Sequence, residues 1–589
     1  MDYRREIDGL RALAVQPVIL FHAGFETCSG GFVGVDVFFV ISGYLITTVI
    51  LAELEQGKFS IVSFYERRAR RILPALFLVI LICIPCAWFW LLPSDLKDFS
   101  LSLAAVSVFA SNILFWLKSG YFDTAAELKP LLHTWSLAVE EQYYVLFPLF
   151  LMLTWRLGKR SGIALLAVVF VISFAGAQWA SLTKPAAAFF LLPARAWELI
   201  IGAFAAFYLS KANRKEFGKT AGEVGGWLGV ALIVYAVFAY SKATPYPGFY
   251  ALVPTIGTAL VILFATPLTT VGRFVGNKAF VGIGLISYSA YLWHQPLFAF
   301  ARHWSLLEPS PFLFAALSVA ALVLAYLSWR YVETPFRKTS TVKRTQIFSY
   351  AALGTAVFFS LGLAGHLALN KSVEFWVAKF PEDSRNLYRT LLIQDTEKNN
   401  YAAASDVIAS EKNCRFNVSV LESGTESTIK RCYATHGAGV LIIGDSHAID
   451  LFGSVTSRFA NDFLVGVTGG GCRPHTPKNE CQYDKIENFV QENPHAFSHI
   501  IYEQAGFYLL LDRNFGKGSR EMFSKLGYQT SVDGISFDEE HIEATFRYLR
   551  NLSNHVPVTW FLPRVEPHIS RKLLLKRGCD FPWNLRPGL

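Results

Sequence analysis

The chain is predicted to be a polytopic α-helical membrane domain of about eleven spans followed by an α/β domain. Three observations carry that prediction. Hydrophobic residues are 53% of 589 and charged residues only 17%, a balance outside the range of soluble chains. Long apolar segments recur through the first 370 residues and then stop. Lys and Arg gather in the short loops between those segments, as the positive-inside rule requires. The net charge of +9 therefore needs no nucleic-acid partner, and no basic patch interleaved with aromatics lies on a soluble stretch.

In chain order the apolar segments lie near 8–25, 33–53, 72–93, 98–117, 137–155, 162–181, 187–209, 225–241, 249–266, 280–303, 311–331 and 346–369. Basic clusters follow at Lys58 with Arg67 to Arg71, Arg156 with Lys159 and Arg160, Lys211 to Lys219, Arg273 with Lys278, and Arg337 to Arg344. These fall on the side of the N-terminus only if the Ser- and Asn-containing segment 98–117 is re-entrant or lies at the surface. That reading puts the N-terminus in the cytoplasm and everything after Asn370 outside. The first segment opens with Arg4, Arg5 and Arg11, has no small-residue cleavage site and is followed at once by another span, so it does not read as a signal peptide.

Residues 1–340 thus form the main membrane domain and 341–370 an additional membrane helix. Residues 371–435 read as a linker with partial structure, and 436–589 as the α/β domain, with strands expected at 440–445, 463–468, 499–503 and 558–563. Cys414, Cys432, Cys472, Cys481 and Cys579 lie in the part placed outside, where an oxidising compartment permits disulfides; Cys414–Cys432 and Cys472–Cys481 are the local pairings.

Ionisable residues at membrane depth are the candidate site. Arg11 and His22 are eleven residues apart, which returns the second to within roughly 20° of the first and about 16 Å further along a helix. An imidazole there can take a proton from a hydroxyl or thiol, or accept an acyl group itself. Arg11 can hold a phosphate or stabilise developing negative charge. Asp36, early in the second span, is expected to orient His22. Arg67, Arg68, Arg70 and Arg71 stand where the third span meets the cytoplasm, with several guanidinium groups on shared faces that can converge on a polyphosphate. His133, Glu140 and Glu141 bracket the entry to a later span as supporting residues of the membrane site, or else as interfacial anchors, since Trp135, Tyr143 and Tyr144 fit an interfacial belt. Arg195 and Glu198, three apart within a span, are placed either to support the membrane site or simply to neutralise each other, and Tyr291 and His294 to line a polar cavity. No metal site is expected.

With Arg11 and His22 at their spacing, GVDVFFVISGYLIT from Gly34, RRARRILPAL from Arg67, LHTWSLAVEEQYYVLFP from Leu132 and SYSAYLWHQP from Ser287, the first 340 residues resemble the acyltransferase family 3 membrane proteins. The resemblance implies an acyl-coenzyme A donor, most often acetyl-CoA, with the arginine cluster on its phosphates and the Arg11–His22 pair at the reaction. Further on, VLIIGDSHAIDLF resembles the first block of SGNH hydrolase-like domains, known as C-terminal partners of that family, in which the position of Ser446 is the nucleophile. Gly469, Gly470 and Gly471 would then supply an oxyanion amide. The closing Asp-x-x-His block is not met before Leu589, so the domain reads as incomplete and the reactivity of Ser446 is open. Asp538 and His541 have the right spacing but precede the last strand on a helical stretch.

The resemblance implies a bacterial inner-membrane O-acyltransferase. It would pass acetyl from cytoplasmic acetyl-CoA to a hydroxyl of an extracytoplasmic glycan, such as O-antigen or a lipid-linked oligosaccharide, among membrane lipid. Either Ser446 relays the group or the membrane half transfers it directly. A membrane-anchored SGNH carbohydrate esterase and a transporter stand as the alternatives.

Overall fold

The structure, a computed structural model, describes residues 3–118, 126–210, 218–241, 244–305, 309–367, 374, 377–378, 382, 385, 414–456, 463–469, 472–474, 483–512, 516–517 and 535–561. The chain divides into two compact units, Met1–Trp376 and Val377–Leu589.

The first unit is helical. Among the described residues seven helical stretches are long and apolar enough to cross a membrane: Gly31–Glu55, Ile61–Trp90, Lys159–Thr183, Pro185–Leu209, Lys219–Ala239, Pro311–Arg337 and Arg344–Leu367. Helices Arg5–His22, Thr134–Trp155 and Lys278–Trp304 reach comparable lengths but carry the polar groups singled out above, and Phe249–Phe264 is apolar but shorter. The expected re-entrant stretch holds two helices, Pro93–Ser107 and Ser111–Leu117, separated at Phe109, which takes a positive φ of 53°. At 15 and 7 residues neither alone covers the roughly 30 Å of a hydrocarbon core.

Small residues let the polar helices pack backbone to backbone, as in membrane bundles. A Cβ on Gly284 would fall 1.8 Å from the Asp8 carbonyl oxygen, so the first helix lies directly against Lys278–Trp304. A Cβ on Gly43 would fall 1.8 Å from the Leu199 carbonyl, and one on Gly202 2.0 Å from that of Val40, which locks helix Gly34–Glu55 to Leu192–Leu209. Around these contacts Phe39, Phe64, Leu76, Val79 and Leu199 are buried in one apolar cluster.

The second unit is α/β. Its main sheet is parallel, in the order Arg415–Val418, Leu464–Thr468, Gly439–Gly444, Phe497–Glu503, Val558–Trp560. Gly439–Gly444 and Leu464–Thr468 are buried along their whole length, as strands covered on both faces must be. Strand Arg415–Val418 and helix Ser423–His436 fall inside the stretch expected to link the units, so the sheet begins before residue 436. The Cys414–Cys432 disulfide ties that edge strand to its helix. Cys472 is also disulfide-bonded, while Cys481 and Cys579 lie outside the described residues. A second, antiparallel sheet joins Leu510–Asp512 to Gly516–Lys517 and Ile535–Phe537.

Candidate active site

Three helices set the depth of the site in the first unit. Along the first helix Arg11 and His22 are about 16 Å apart, and along Thr134–Trp155 its N-cap His133 and Tyr144 are separated by the same roughly 16 Å. On Lys278–Trp304, Tyr288 and His294 lie roughly 9 Å apart. Histidines thus gather at one level and arginines at another.

At the histidine level the His22 ring lies 5.1 Å from that of His294, and His294 lies 5.6 Å from His133. His22 Nδ1 is 2.9 Å from the Val18 carbonyl oxygen one turn earlier. A carbonyl only accepts, so Nδ1 carries the hydrogen and Nε2 keeps its lone pair, the form needed for a base or nucleophile. Arg302 donates to the His22 carbonyl at 2.8 Å and so fixes the end of the first helix. Tyr291 bonds the Ser136 hydroxyl at 2.7 Å and donates to the His133 carbonyl at 3.1 Å. Ser136, one turn into its helix, is a member of this cluster that spacing alone did not single out.

At the other level the four clustered arginines part company. Glu53 takes Arg67 at 2.8 Å, and Glu66 takes Arg70 at 2.8 Å while also bonding Arg344. Arg68 turns inward over the Tyr144 ring, 5.7 Å from its centre. Arg71 has no ion-pair partner among the described residues and acts electrostatically on Arg11 and Glu140. Of the four, Arg67 and Arg70 are thus held by carboxylates, while Arg71 lies within electrostatic reach of Arg68, Arg11 and Arg337. Arg11 keeps a loose 3.4 Å contact with Asp8. Arg337 pairs at 2.6 Å with buried Glu333, which also bonds Ser289 and ends the π-helical turn Trp329–Glu333, a feature common at functional sites. Between the levels Glu140 accepts from Ser42 at 3.1 Å and Tyr144 at 3.0 Å, and Glu141 Oε1 is buried without a hydrogen-bond partner among the described residues.

Asp36 does not orient His22. Its Oδ1 accepts from Arg195 at 3.1 Å, and the same guanidinium nitrogen reaches Glu198 at 2.7 Å, all three side chains being fully buried. The tight packing of Gly34–Glu55 on Leu192–Leu209 turns Asp36 towards Arg195 instead. Phe39, Trp135, Phe189 and Tyr246 surround the guanidinium with ring centres 5.4–5.6 Å away. His22 is instead oriented by its own helix.

In the second unit Ser446 is exposed and opens helix Ser446–Thr456 at the carboxyl end of the central strand. The chain leaves this strand for Leu464–Thr468 on one side and meets Phe497–Glu503 on the other, so the crevice at its end is where open α/β sheets hold ligands. Gly444 precedes it at φ +146°, and a Cβ there would lie 1.8 Å from the Glu503 carbonyl. Asp445 accepts from the backbone N–H groups of His447 and Ala505, both at 2.9 Å. Burial nevertheless holds its carboxyl above the usual aspartate range. Gly469 donates to the Gly444 carbonyl, whereas Gly470, Gly471 and residues 562–589 lie outside the described residues. Asp538 and His541 pair at 2.9 Å, with Asp538 capping helix Glu539–Ser553.

The membrane unit therefore sets a lone-pair imidazole about 16 Å from a group of arginines, an arrangement suited to moving a group from an anionic donor. Among the described residues no cluster of three or more His, Cys, Asp or Glu is placed to hold a metal ion.

Residues 4–330 match the family model described as an acyltransferase domain. The chain is 30% identical over 405 residues to the peptidoglycan O-acetyltransferase OatA of Listeria monocytogenes, covering 63% of this chain and 65% of that protein. It is 34% identical over 331 residues to a putative membrane-bound transacylase, BcsY, of Komagataeibacter xylinus, covering 56% and 82% of the two chains. A putative peptidoglycan O-acetyltransferase of Bacillus subtilis, YrhL, is 27% identical over 508 residues, 79% of each chain. No solved structure matches the chain significantly.

Proposed function

The chain belongs to the acyltransferase domain family, and from that premise we propose that this multi-pass membrane protein is an O-acetyltransferase. It moves acetyl from acetyl-CoA at the cytoplasmic face to a glycan hydroxyl on the other side of the inner membrane. The observation that carries the reading is His22, whose Nδ1–H is held by Val18 and whose Nε2 lone pair lies one helix length from Arg11. The names of the relatives in Listeria and Bacillus favour peptidoglycan over O-antigen or a lipid-linked oligosaccharide as the acceptor.

On this reading Arg68, Arg71 and Arg11 bind the donor's phosphates, and the pantetheine arm spans the distance to the histidines. His22 Nε2 attacks the thioester carbonyl, the C–S bond breaks and the thiolate leaves, protonated by water. The acetyl group then passes to the acceptor oxygen. The N-terminus is cytoplasmic and the second unit, an SGNH-like domain, lies outside and presents the glycan.

A second reading routes the group through Ser446, because that hydroxyl is exposed at the carboxyl end of the central strand. Glycan O-acetylation in cells lacking the endogenous gene and complemented with wild type, His22→Ala or Ser446→Ala, at equal membrane expression, separates them. Loss with His22→Ala alone supports direct transfer; loss with both supports the relay. Full acetylation with His22→Ala refutes the function.

A further inference from the structure

Resting on that reading, the histidine level carries one group the acyl-transfer account has not used. His294 is fully buried, and its Nδ1 lies 2.6 Å from the Tyr291 carbonyl oxygen. As in His22, the carbonyl forces the hydrogen onto Nδ1 and leaves Nε2 as a lone pair. That Nε2 is buried and has no hydrogen-bond partner among the described residues, a costly state unless a ligand satisfies it. The two rings lie 5.1 Å apart, and in each the nitrogen remote from the bonded carbonyl can only accept. A group that brings its own hydrogen satisfies the His294 nitrogen, and an acceptor hydroxyl is such a group.

We propose that His294 is the base that takes the proton of the acceptor hydroxyl while His22 gives up the acetyl group. The O–H bond breaks towards His294 Nε2, the oxygen forms a bond to the acetyl carbon, and the C–N bond to His22 breaks, returning its lone pair. His294 is left protonated and releases the proton to solvent; with the thiolate protonated earlier, the products are ester and free thiol. His133, 5.6 Å beyond with neither ring nitrogen bonded among the described residues, is the next acceptor for that proton.

The test uses the full-length protein in detergent micelles with radiolabelled acetyl-CoA. The acceptor is either the N-acetylglucosamine tetramer or hydroxylamine, a nucleophile that needs no base. His294→Asn keeps a donor for the Tyr291 carbonyl and deletes the Nε2 base. The expected result is normal acetylation of the protein, normal discharge to hydroxylamine, and transfer to the tetramer slower by about 10²- to 10⁴-fold. Transfer to the tetramer at the wild-type rate overturns the proposal, as does a monodisperse His294→Asn that takes up no acetyl. If the variant aggregates, the wild type decides. Discharge to the tetramer slowed in D2O while that to hydroxylamine is not supports the base, and equal rates overturn it. A wild type that is never labelled while His22→Ala behaves identically defeats the functional reading itself.

Discussion

Replacing Arg195 should destabilise the membrane unit far more than replacing either carboxylate it holds. Arg195, Asp36 and Glu198 are each 0–1% exposed, and one guanidinium nitrogen serves both acids at 3.1 and 2.7 Å. The group is formally one cation between two anions. Arg195→Met preserves most of the side-chain volume inside the aromatic box but leaves two buried carboxylates without a cation. Removing one partner of a buried pair costs about 3–5 kcal/mol. Asp36→Asn leaves Arg195 and Glu198 balanced one to one and keeps an oxygen for the guanidinium, so only a hydrogen bond weakens, about 0.5–1.5 kcal/mol. Thermal melting of the purified variants in one detergent reads the order directly. Arg195→Met is expected to melt well below Asp36→Asn, and equal melting points would refute the electrostatic reasoning.

Other outcomes follow from the same geometry. Arg71→Gln is expected to raise the KM for acetyl-CoA by the loss of a charged hydrogen bond, about 1.5–3 kcal/mol or roughly ten- to a hundredfold, whereas Arg67→Gln, already paired with Glu53, changes it little; initial rates at varied donor concentration check this. Cys414→Ser opens a loop of 18 residues and should cost the second unit about 3 kcal/mol, seen as unfolding at lower urea by protease sensitivity. The Asp445 carboxyl titrates higher in the folded unit than in the unfolded chain, so its contribution is complete below the ordinary aspartate value and is lost as pH rises through the raised one. Asp445→Asn should therefore flatten the decline in stability over that window, measured as melting temperature against pH and compared with wild type.

Much of this was legible in sequence because helical period is local. The spacing of Arg11 and His22 fixed their common face, and runs such as VLIIG marked a buried strand, expected at 440–445 and found at Gly439–Gly444, just before Ser446. Partners distant in sequence were not legible. Asp36 meets Arg195 after 159 intervening steps, and nothing local to either predicts it. Arg67 and Arg70 looked alike on a helical wheel, but Glu53 and Glu66 neutralise them and leave Arg68 and Arg71 to the interior. His133 reads in sequence either as a supporting membrane-site residue or as part of an interfacial belt with Trp135 and the paired tyrosines; only the packing of Thr134–Trp155 beside Lys278–Trp304 brings it to His294. The strand Arg415–Val418 was hidden by its four residues, too few to show an alternation.

The central claim is that His22 performs the acyl chemistry, and thiol release from acetyl-CoA by protein reconstituted in liposomes tests it most directly. Wild type with the N-acetylglucosamine tetramer as acceptor should release coenzyme A thiol steadily, and His22→Gln should do so more slowly by about 10²- to 10⁴-fold with an unchanged melting point. Release by His22→Gln at the wild-type rate would contradict the account.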